Sequence, residues 1–410
     1  MSDTRKTTKP NVPNLRFPGF EGEWENKRIG DIGKFFSGGT PSSSRKDFYG
    51  GEIPFIRSGE IHSDKTELFL TQEGYKNSSA KMVEVGDILL ALYGANSGDI
   101  SISQMRGAIN QAILCIRTNV APVFFKSVWE KHAQKILNTY LQGGQGNLSA
   151  DIVKKITISI PSQIEQAKIA ALFSHLDERI SIQNRLIEDL KKLRCAIIEN
   201  VFCSPNHNES ALRFKGNTDP LSTYRMEDFC SRITRKNKDN QCSLVLTIAA
   251  QYGLVDQESF FNKTVASENL AGYYLLHKGE FAYNRSYSAG YDWGAVKRLE
   301  KYPEGVLSTL YICFKIDESA VDSDYLAYYF ESTKWHKGLS DIAGEGARNH
   351  GLLNVSVNDY FNTRHRFHCM REQKIIASML NVISQKENDE IALYDNYQKQ
   401  KQYLLRKMFI

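Results

Sequence analysis

Residues 162–203 read SQIEQAKIAALFSHLDERISIQNRLIEDLKKLRCAIIENVFC, and this stretch decides the architecture. Pro161 precedes it, and Ser162-Gln163-Ile164-Glu165 fits a capping box, in which the Ser and Glu side chains satisfy free backbone donors at a helix start. Apolar residues then recur at Leu172, Leu176, Ile180, Leu186, Leu190, Leu193 and Ile197, ending near Val201. Most of those steps are three or four, the period of a helix face. The pattern returns: Glu165-Gln166 recurs as Glu372-Gln373 and Val201-Phe202 as Met408-Phe409, both at an offset of 207. The second stretch carries Ile376, Leu380, Ile383, Ile391, Tyr394, Tyr397 and Leu404. Its start is the weaker of the two, because the Pro and the capping Ser are missing between Phe367 and Arg371. A helix of about 40 residues is roughly 60 Å long, too long to bury its stripe on one small domain. The two helices are therefore expected to pair as an antiparallel coiled coil through the residues named. The alternative is that each packs on its own domain.

Working outward, the repeat extends to both sides. Leu15-Arg16-Phe17 recurs as Leu212-Arg213-Phe214, an offset of 197. An aromatic and a turn follow each: Trp24 with Ile29-Gly30-Asp31-Ile32, and Tyr224 with Met226-Glu227-Asp228-Phe229. Val85-Gly86-Asp87-Ile88-Leu89 resembles Lys278-Gly279-Glu280-Phe281-Ala282. The chain thus reads as two copies related by a pseudo-two-fold repeat. Residues 1–14 form a polar lead expected to be disordered, followed by a globular part (15–161) and a long helix (162–203). A polar linker (204–211) leads to the second globular part (212–368) and the second long helix (369–410). Each globular part is mixed α/β, so the fold class is α+β. Strands are expected at Ile53–Ile56, Asp87–Ala91, Ser243–Ile248 and Ser308–Phe314, and helices at Val123–Tyr140 and Tyr325–Trp335.

Composition narrows the class. A formal charge of +5 over 410 residues permits a nucleic-acid partner without demanding one. Seven scattered cysteines, with no C-x-x-C pair, read as reduced thiols. There is no run of about 18 apolar residues, and the first residues lack an apolar signal core, so a cytoplasmic protein is expected. No phosphate-binding G-x-x-x-x-G-K-[ST] loop, Asn-Pro-Pro-aromatic tetrad, H-E-x-x-H or G-x-S-x-G occurs. His365 and His368 stand three apart, but no carboxylate cluster accompanies them, and they read as structural histidines. No catalytic residue and no metal ligand is assigned.

Several motifs carry a specific resemblance. Copy one contains Ser37-Gly38-Gly39-Thr40-Pro41, Ile53-Pro54-Phe55-Ile56-Arg57-Ser58-Gly59-Glu60-Ile61, Leu92-Tyr93-Gly94-Ala95-Asn96-Ser97-Gly98 and Gly143-Gly144-Gln145-Gly146-Asn147-Leu148. Ile158–Pro161 and Glu165-Gln166 follow. This resembles the target-recognition domain and following helix of type I restriction-modification specificity subunits. Phe281-Ala282-Tyr283-Asn284-Arg285-Ser286 and Gly305–Tyr311 resemble a second target-recognition domain of another subtype. The resemblance spans about Leu15 to Phe409. It implies a non-catalytic DNA reader, each domain recognising one half of a split duplex target, with the helices setting the gap. It also implies two methyltransferase (modification) subunits docked on the helices, and restriction/motor subunits in the full complex. S-adenosylmethionine would then belong to the methyltransferase partner, and ATP and Mg to the restriction partner, with no cofactor in this chain.

Base reading requires amide, hydroxyl or cationic side chains on groove-facing loops, and phosphate positioning uses cations and backbone amides. The copy-one candidates are Ser37, Thr40, Arg57, Ser58, Tyr93, Asn96, Ser97, Asn110, Gln111, Gln145 and Asn147. Asn110-Gln111 has the shape for a bidentate contact to adenine; a strand-end amide is the alternative. The glycines would let backbone approach a phosphate, or simply make tight turns. In copy two, Arg232, Arg235, Lys236 and Lys238 form the densest basic cluster, read as phosphate contacts against the alternative of a solvated face. Asn284, Arg285, Ser286, Tyr287 and Tyr291 form a polar-aromatic loop. Arg348, Asn349 and His350 match the place of Gln145–Asn147. Two other functions stay open on sequence: a coiled-coil scaffold that binds only proteins, and a nuclease or methyltransferase with an unrecognised active site. Steep salt dependence of DNA binding separates the reader from the scaffold. Cutting or methylation by the lone chain would mark the enzyme.

Overall fold

A computed structural model describes residues 10–141, 147–207, 209–216, 219–262, 269–286, 290–342, 353 and 355–410. They fall into two compact units, Met1–Asn184 with Ala392–Ile410, and Arg185–Ile391. The long helices are Gln163–Val201 and Met370–Met408, 39 residues each. Each gives one half to either unit.

Unit 1 is built on a four-stranded antiparallel sheet in the order Gly33–Ser37, Ile113–Thr118, Ile88–Ala91, Ile100–Ile102. Its central strands are apolar on both faces, Ile88–Ala91 being buried throughout, as expected of strands covered from two sides. Helix Pro122–Leu141 covers one face with Phe124, Val128 and Ile136. On the other face stands a second sheet, Phe69–Leu70, Tyr49–Ile56, Gly107–Ile109, Lys81–Val83, in which Phe55 and Ala108 pair in parallel. Glu25–Arg28 pairs with Thr157–Ile160 just ahead of the first long helix. Residues 10–12, part of the expected lead, are tied down: the Trp24 backbone N–H donates to the Asn11 carbonyl, 2.8 Å, and Asn11 Nδ2 donates to the Trp24 carbonyl, 2.6 Å.

Unit 2 repeats the frame. Its four-stranded sheet runs Cys230–Arg232, Ile312–Ile316, Phe281–Asn284, Ala295–Arg298, and Ser222–Arg225 pairs with Arg364–Phe367. The second sheet is replaced by two ribbons, Leu246–Ala249 with Gly253–Asp256 and Tyr274–His277 with Glu304–Leu307. An isolated parallel bridge, Val245 to Val306, joins them. The expected strand Ser308–Phe314 starts only at Ile312, because Ser308 turns the chain: its carbonyl accepts from Tyr311 N–H, 3.2 Å. The expected helix Tyr325–Trp335 is broken into Ser323–Tyr329 and His336–Ile342. Ser332 Oγ bonds the Tyr329 carbonyl and accepts from Lys334 N–H, a local alternative to helix continuation.

The two units close by the same devices. In unit 1 the Leu15 N–H donates to the Lys407 carbonyl; in unit 2 the Leu212 N–H donates to the Asn200 carbonyl. These pairs match at the offsets 197 and 207 read from the sequence. Glu165 does not complete the capping box, although Ser162 Oγ accepts from its N–H at 3.4 Å. Its buried carboxylate takes Arg16 instead, 2.7 Å, as Glu372 takes Arg213, 2.5 Å. Gln166 accepts from Ala121 N–H and donates to the Pro161 carbonyl; Gln373 accepts from Asp322 N–H and donates to the His368 carbonyl. Each Gln thus pins a covering helix to a long-helix start, and this clasp supplies what the missing Pro and Ser of copy two do not.

Within unit 1 the first long helix meets the end of the second: Phe173 lies 5.4 Å from Phe409, ring to ring, and Asp177 pairs with Lys401, 2.8 Å. Within unit 2, Arg194 pairs with Glu387, 3.0 Å. One residue number rises as the other falls, so the helices run antiparallel where they pack. Of the expected interface residues, Leu176, Ile376 and Leu380 are buried, while Leu172, Ile180, Leu190, Ile197, Ile383, Ile391, Tyr394, Tyr397 and Leu404 are half-buried. Leu186 and Leu193 point outward, 40% and 50% exposed, whereas Ile187 is 5% exposed. Steps of four and three from Leu176 pass through Ile180, Gln183, Ile187, Leu190 and Arg194. The inner line holds two polar residues, so choosing by apolarity alone moved it one position off.

Candidate nucleic-acid interface

Five segments of unit 1 converge at one end of its sheets. Strand Gly33–Ser37 runs on into Gly38, where any side chain would strike the Ile109 carbonyl: an added Cβ would sit 1.7 Å from that oxygen. The glycine there serves close backbone packing, not a phosphate. That packing lays Ser37–Thr40 beside Asn110-Gln111, and Thr40 Oγ1 donates to Gln111 Oε1, 2.5 Å. Tyr93 is half-buried nearby, and burial raises its phenol above the ordinary range. Asn96 lies over Gly59, its Nδ2 3.6 Å from where a Cβ would be. Leu148 N–H donates to the Leu92 carbonyl, 2.9 Å, which brings exposed Asn147 to the same rim.

Not every candidate is free to read. Arg57 is clamped by Glu60, 2.8 Å, and Glu67, 2.7 Å. Burial pushes the Glu60 carboxyl up, but Arg57 and backbone N–H groups hold it down at about 2. Ser97 Oγ donates to the Leu92 carbonyl and Asn110 Oδ1 accepts from Ala112 N–H, so both fasten their own turns. Ser58 is half-buried in the turn Ser58–Glu60. Gln145 lies outside the described residues.

In unit 2 the basic cluster leans back on its own strands. Arg232 reaches the Tyr274 hydroxyl, 3.3 Å. Arg235 bonds the Leu275 carbonyl and Glu280, 2.6 Å. Lys236 sits 4.0 Å from the Tyr274 ring centroid and bonds the Gly272 carbonyl. Lys238 is exposed. Asn284 Oδ1 accepts from Ser286 N–H. Arg285 braces the Val355 and Leu310 carbonyls, 3.0 and 3.1 Å, so it supports the loop cluster from behind. Tyr291 faces elsewhere: it lines a cleft with Arg194, Glu331 and Trp335 beside the long helix. Tyr287, Arg348, Asn349 and His350 lie outside the described residues.

The sequence reading missed Thr309 and Leu310, both exposed, Leu310 by 61%. Ser308 accepts from Leu310 N–H as Asn110 accepts from Ala112 N–H, so Thr309 stands where Gln111 stands in unit 1. The shared turn between matched strands is the signal, and it becomes visible only once those strands are paired. The buried histidines are structural: His365 lies between Tyr329 and Thr363, and His368 bonds Tyr325. Among the described residues no helix is long and apolar enough to cross a membrane.

Two copies of one α+β frame, each with polar loops gathered at the same strand ends, make a tandem of two similar modules. Residues 21–192 match the model of the type I restriction modification DNA specificity domain. The MjaIX specificity subunit of Methanocaldococcus jannaschii is 28% identical over 194 residues, 44% of this chain and 44% of that protein. The HindI specificity subunit of Haemophilus influenzae is 28% identical over 186 residues, 42% and 39%. The match therefore spans less than half the length of these relatives. The crystal structure of a type I system S subunit from M. genitalium superposes over 97% of this chain and 99% of its own, with TM-score 0.60 and 14% identity, which places the fold. Residues 21–192 are thus similar to a type I restriction modification DNA specificity domain, in a chain with the fold of a type I system S subunit.

Proposed function

We propose that this chain is the sequence-reading subunit of a type I restriction-modification complex and that each unit reads one half of a bipartite duplex target. The observation that carries the reading is the repeated frame: matched four-stranded sheets end in polar loops that differ in detail between the units. A covalent pair of similar readers suits a target with two unlike halves. The long helices set the unspecified gap and dock two methyltransferase subunits, whose S-adenosylmethionine supplies the methyl group; restriction subunits bring ATP and Mg. The chain itself supplies no catalytic group. Co-expression with the cognate methyltransferase subunit, followed by mapping of adenine methylation across the host genome, tests this. Two short specified halves with a fixed gap are expected. An undivided motif would sink the two-reader function.

A further inference from the structure

Gln111 stands in the turn between strands Gly107–Ile109 and Ile113–Thr118, with an exposed side chain. Its neighbour Asn110 is half-buried and turns its side-chain oxygen back onto Ala112 N–H, 3.1 Å, so its amide is oriented to close its own turn. Gln111 is different, because its exposed amide is held by Thr40, a residue from elsewhere in the sheet end, and still has capacity. An amide side chain has two acceptor lone pairs and two N–H donors. Thr40 Oγ1 donates to Gln111 Oε1 at 2.5 Å and takes one lone pair. One acceptor lone pair and the amide N–H donors are left, side by side and already oriented by the Thr40 bond. Adenine presents the complement in the major groove, an N6 donor beside the N7 acceptor, whereas guanine presents two acceptors and would face Oε1 with O6.

We propose that Gln111 reads an adenine in the half-site of unit 1, with Thr40 positioning its amide. This rests on the reading of unit 1 as a DNA reader. Thr40 follows Gly38, whose tight approach to the Ile109 carbonyl lays this stretch beside the Asn110-Gln111 turn. In unit 2 the corresponding Thr309 has a short hydroxyl, which makes the two halves read differently at matched positions.

The test maps methylation by complexes containing the full chain, its Gln111→Ala and Gln111→Glu variants, and Thr40→Val. With Gln111→Ala, discrimination is expected to fall on the order of 10- to 100-fold at one adenine of one half-site. The other half should be unchanged. Gln111→Glu should move the preference toward cytosine, whose N4 amine suits a carboxylate. Thr40→Val should keep that adenine but weaken it several-fold; a merely structural role would lower methylation of all sites alike. Competition binding to duplexes permuted at each position gives the same readout where methylation is lost. A split motif in which Gln111→Ala and Gln111→Glu change no position overturns the assignment and leaves the two-reader function standing. An undivided motif for the unaltered chain overturns both.

Discussion

The second sheet of unit 1 is continuous, four strands with a parallel pair at its centre. Its counterpart in unit 2 is two ribbons joined by the bridge from Val245 to Val306. The four-stranded sheets beside them keep the same strand order, and the Arg–Glu and Gln clasps are kept residue for residue. Divergence is therefore concentrated away from the long helices, at the loop-bearing side. Even the chemistry of that side differs. Where copy one uses Gly38 and Gly39 to bring backbones together, copy two at the offset of 197 has Arg235 and Lys236, folded back on the strand Tyr274–His277. The clasped end of each unit carries the architecture, and the loop end is free to change what is recognised.

Four changes would break or sharpen this comparison. The largest effect should come from the aromatic plugs. Phe409 packs on Trp24, Phe124 and Phe173 in unit 1, and Phe202 on Tyr325 and Tyr329 in unit 2. Phe409→Ala and Phe202→Ala should each cost about 3–5 kcal/mol in denaturant unfolding; losses under about 1 kcal/mol would show that the plugs are not equivalent core elements. Next come the clasps. Arg16→Ala or Arg213→Ala leaves Glu165 or Glu372 buried with its partner gone, at a cost of about 2–3 kcal/mol, below the fully buried case because the arginines still touch water. Unequal losses would mean that the clasp has drifted in one copy.

The third effect belongs to unit 2. Its Arg364–Phe367 strand and helix entry hold His365 and His368 where unit 1 has Ile158 and Pro161. Burial pushes His365 down to about 3. Burial also pushes His368 down to about 4, against the opposing pull of Glu372. The fold refuses protons that the unfolded chain accepts near pH 6.5, so the stability is present above that pH and is lost on acidification toward 4. Each histidine should cost about 2 kcal/mol by pH 5. His365→Ile should flatten the pH dependence of urea unfolding between 7 and 5; an unchanged slope would refute the assignment. The smallest effect is on DNA binding by the assembled complex. Lys238→Ala should lower the salt slope by about one phosphate contact. Lys236→Met, whose charge is already engaged by Tyr274, should change it less.

The repeat, the long helices and their antiparallel pairing were legible in the sequence because helical periodicity and a fixed offset are local, countable signals. The inner line of the first helix was not, since Gln183 and Arg194 sit on it and Leu186 and Leu193 do not. Glu165 was legible as a helix-start residue, but its partner Arg16 is 149 positions away, beyond any local pattern. At the candidate interface, residue types marked several unit 1 loops that the fold brings to one rim, and pairing distinguished Gln111 from Asn110. Type alone failed for Arg57 and Arg285, whose charges are spent on Glu60 and Glu67 and on backbone carbonyls. It also passed over Thr309, whose relevance depends on the strand match.

Unit 1 draws on Met1–Asn184 and Ala392–Ile410, while unit 2 is one uninterrupted run, Arg185–Ile391. During synthesis, every residue of unit 2 has left the ribosome while Trp24, Phe124 and Phe173 still wait for Phe409 to cover them. Closure across so long a separation is slow in the sense of contact order, and an apolar surface left open in the interval invites aggregation. The half of the molecule translated first is thus the half that finishes last.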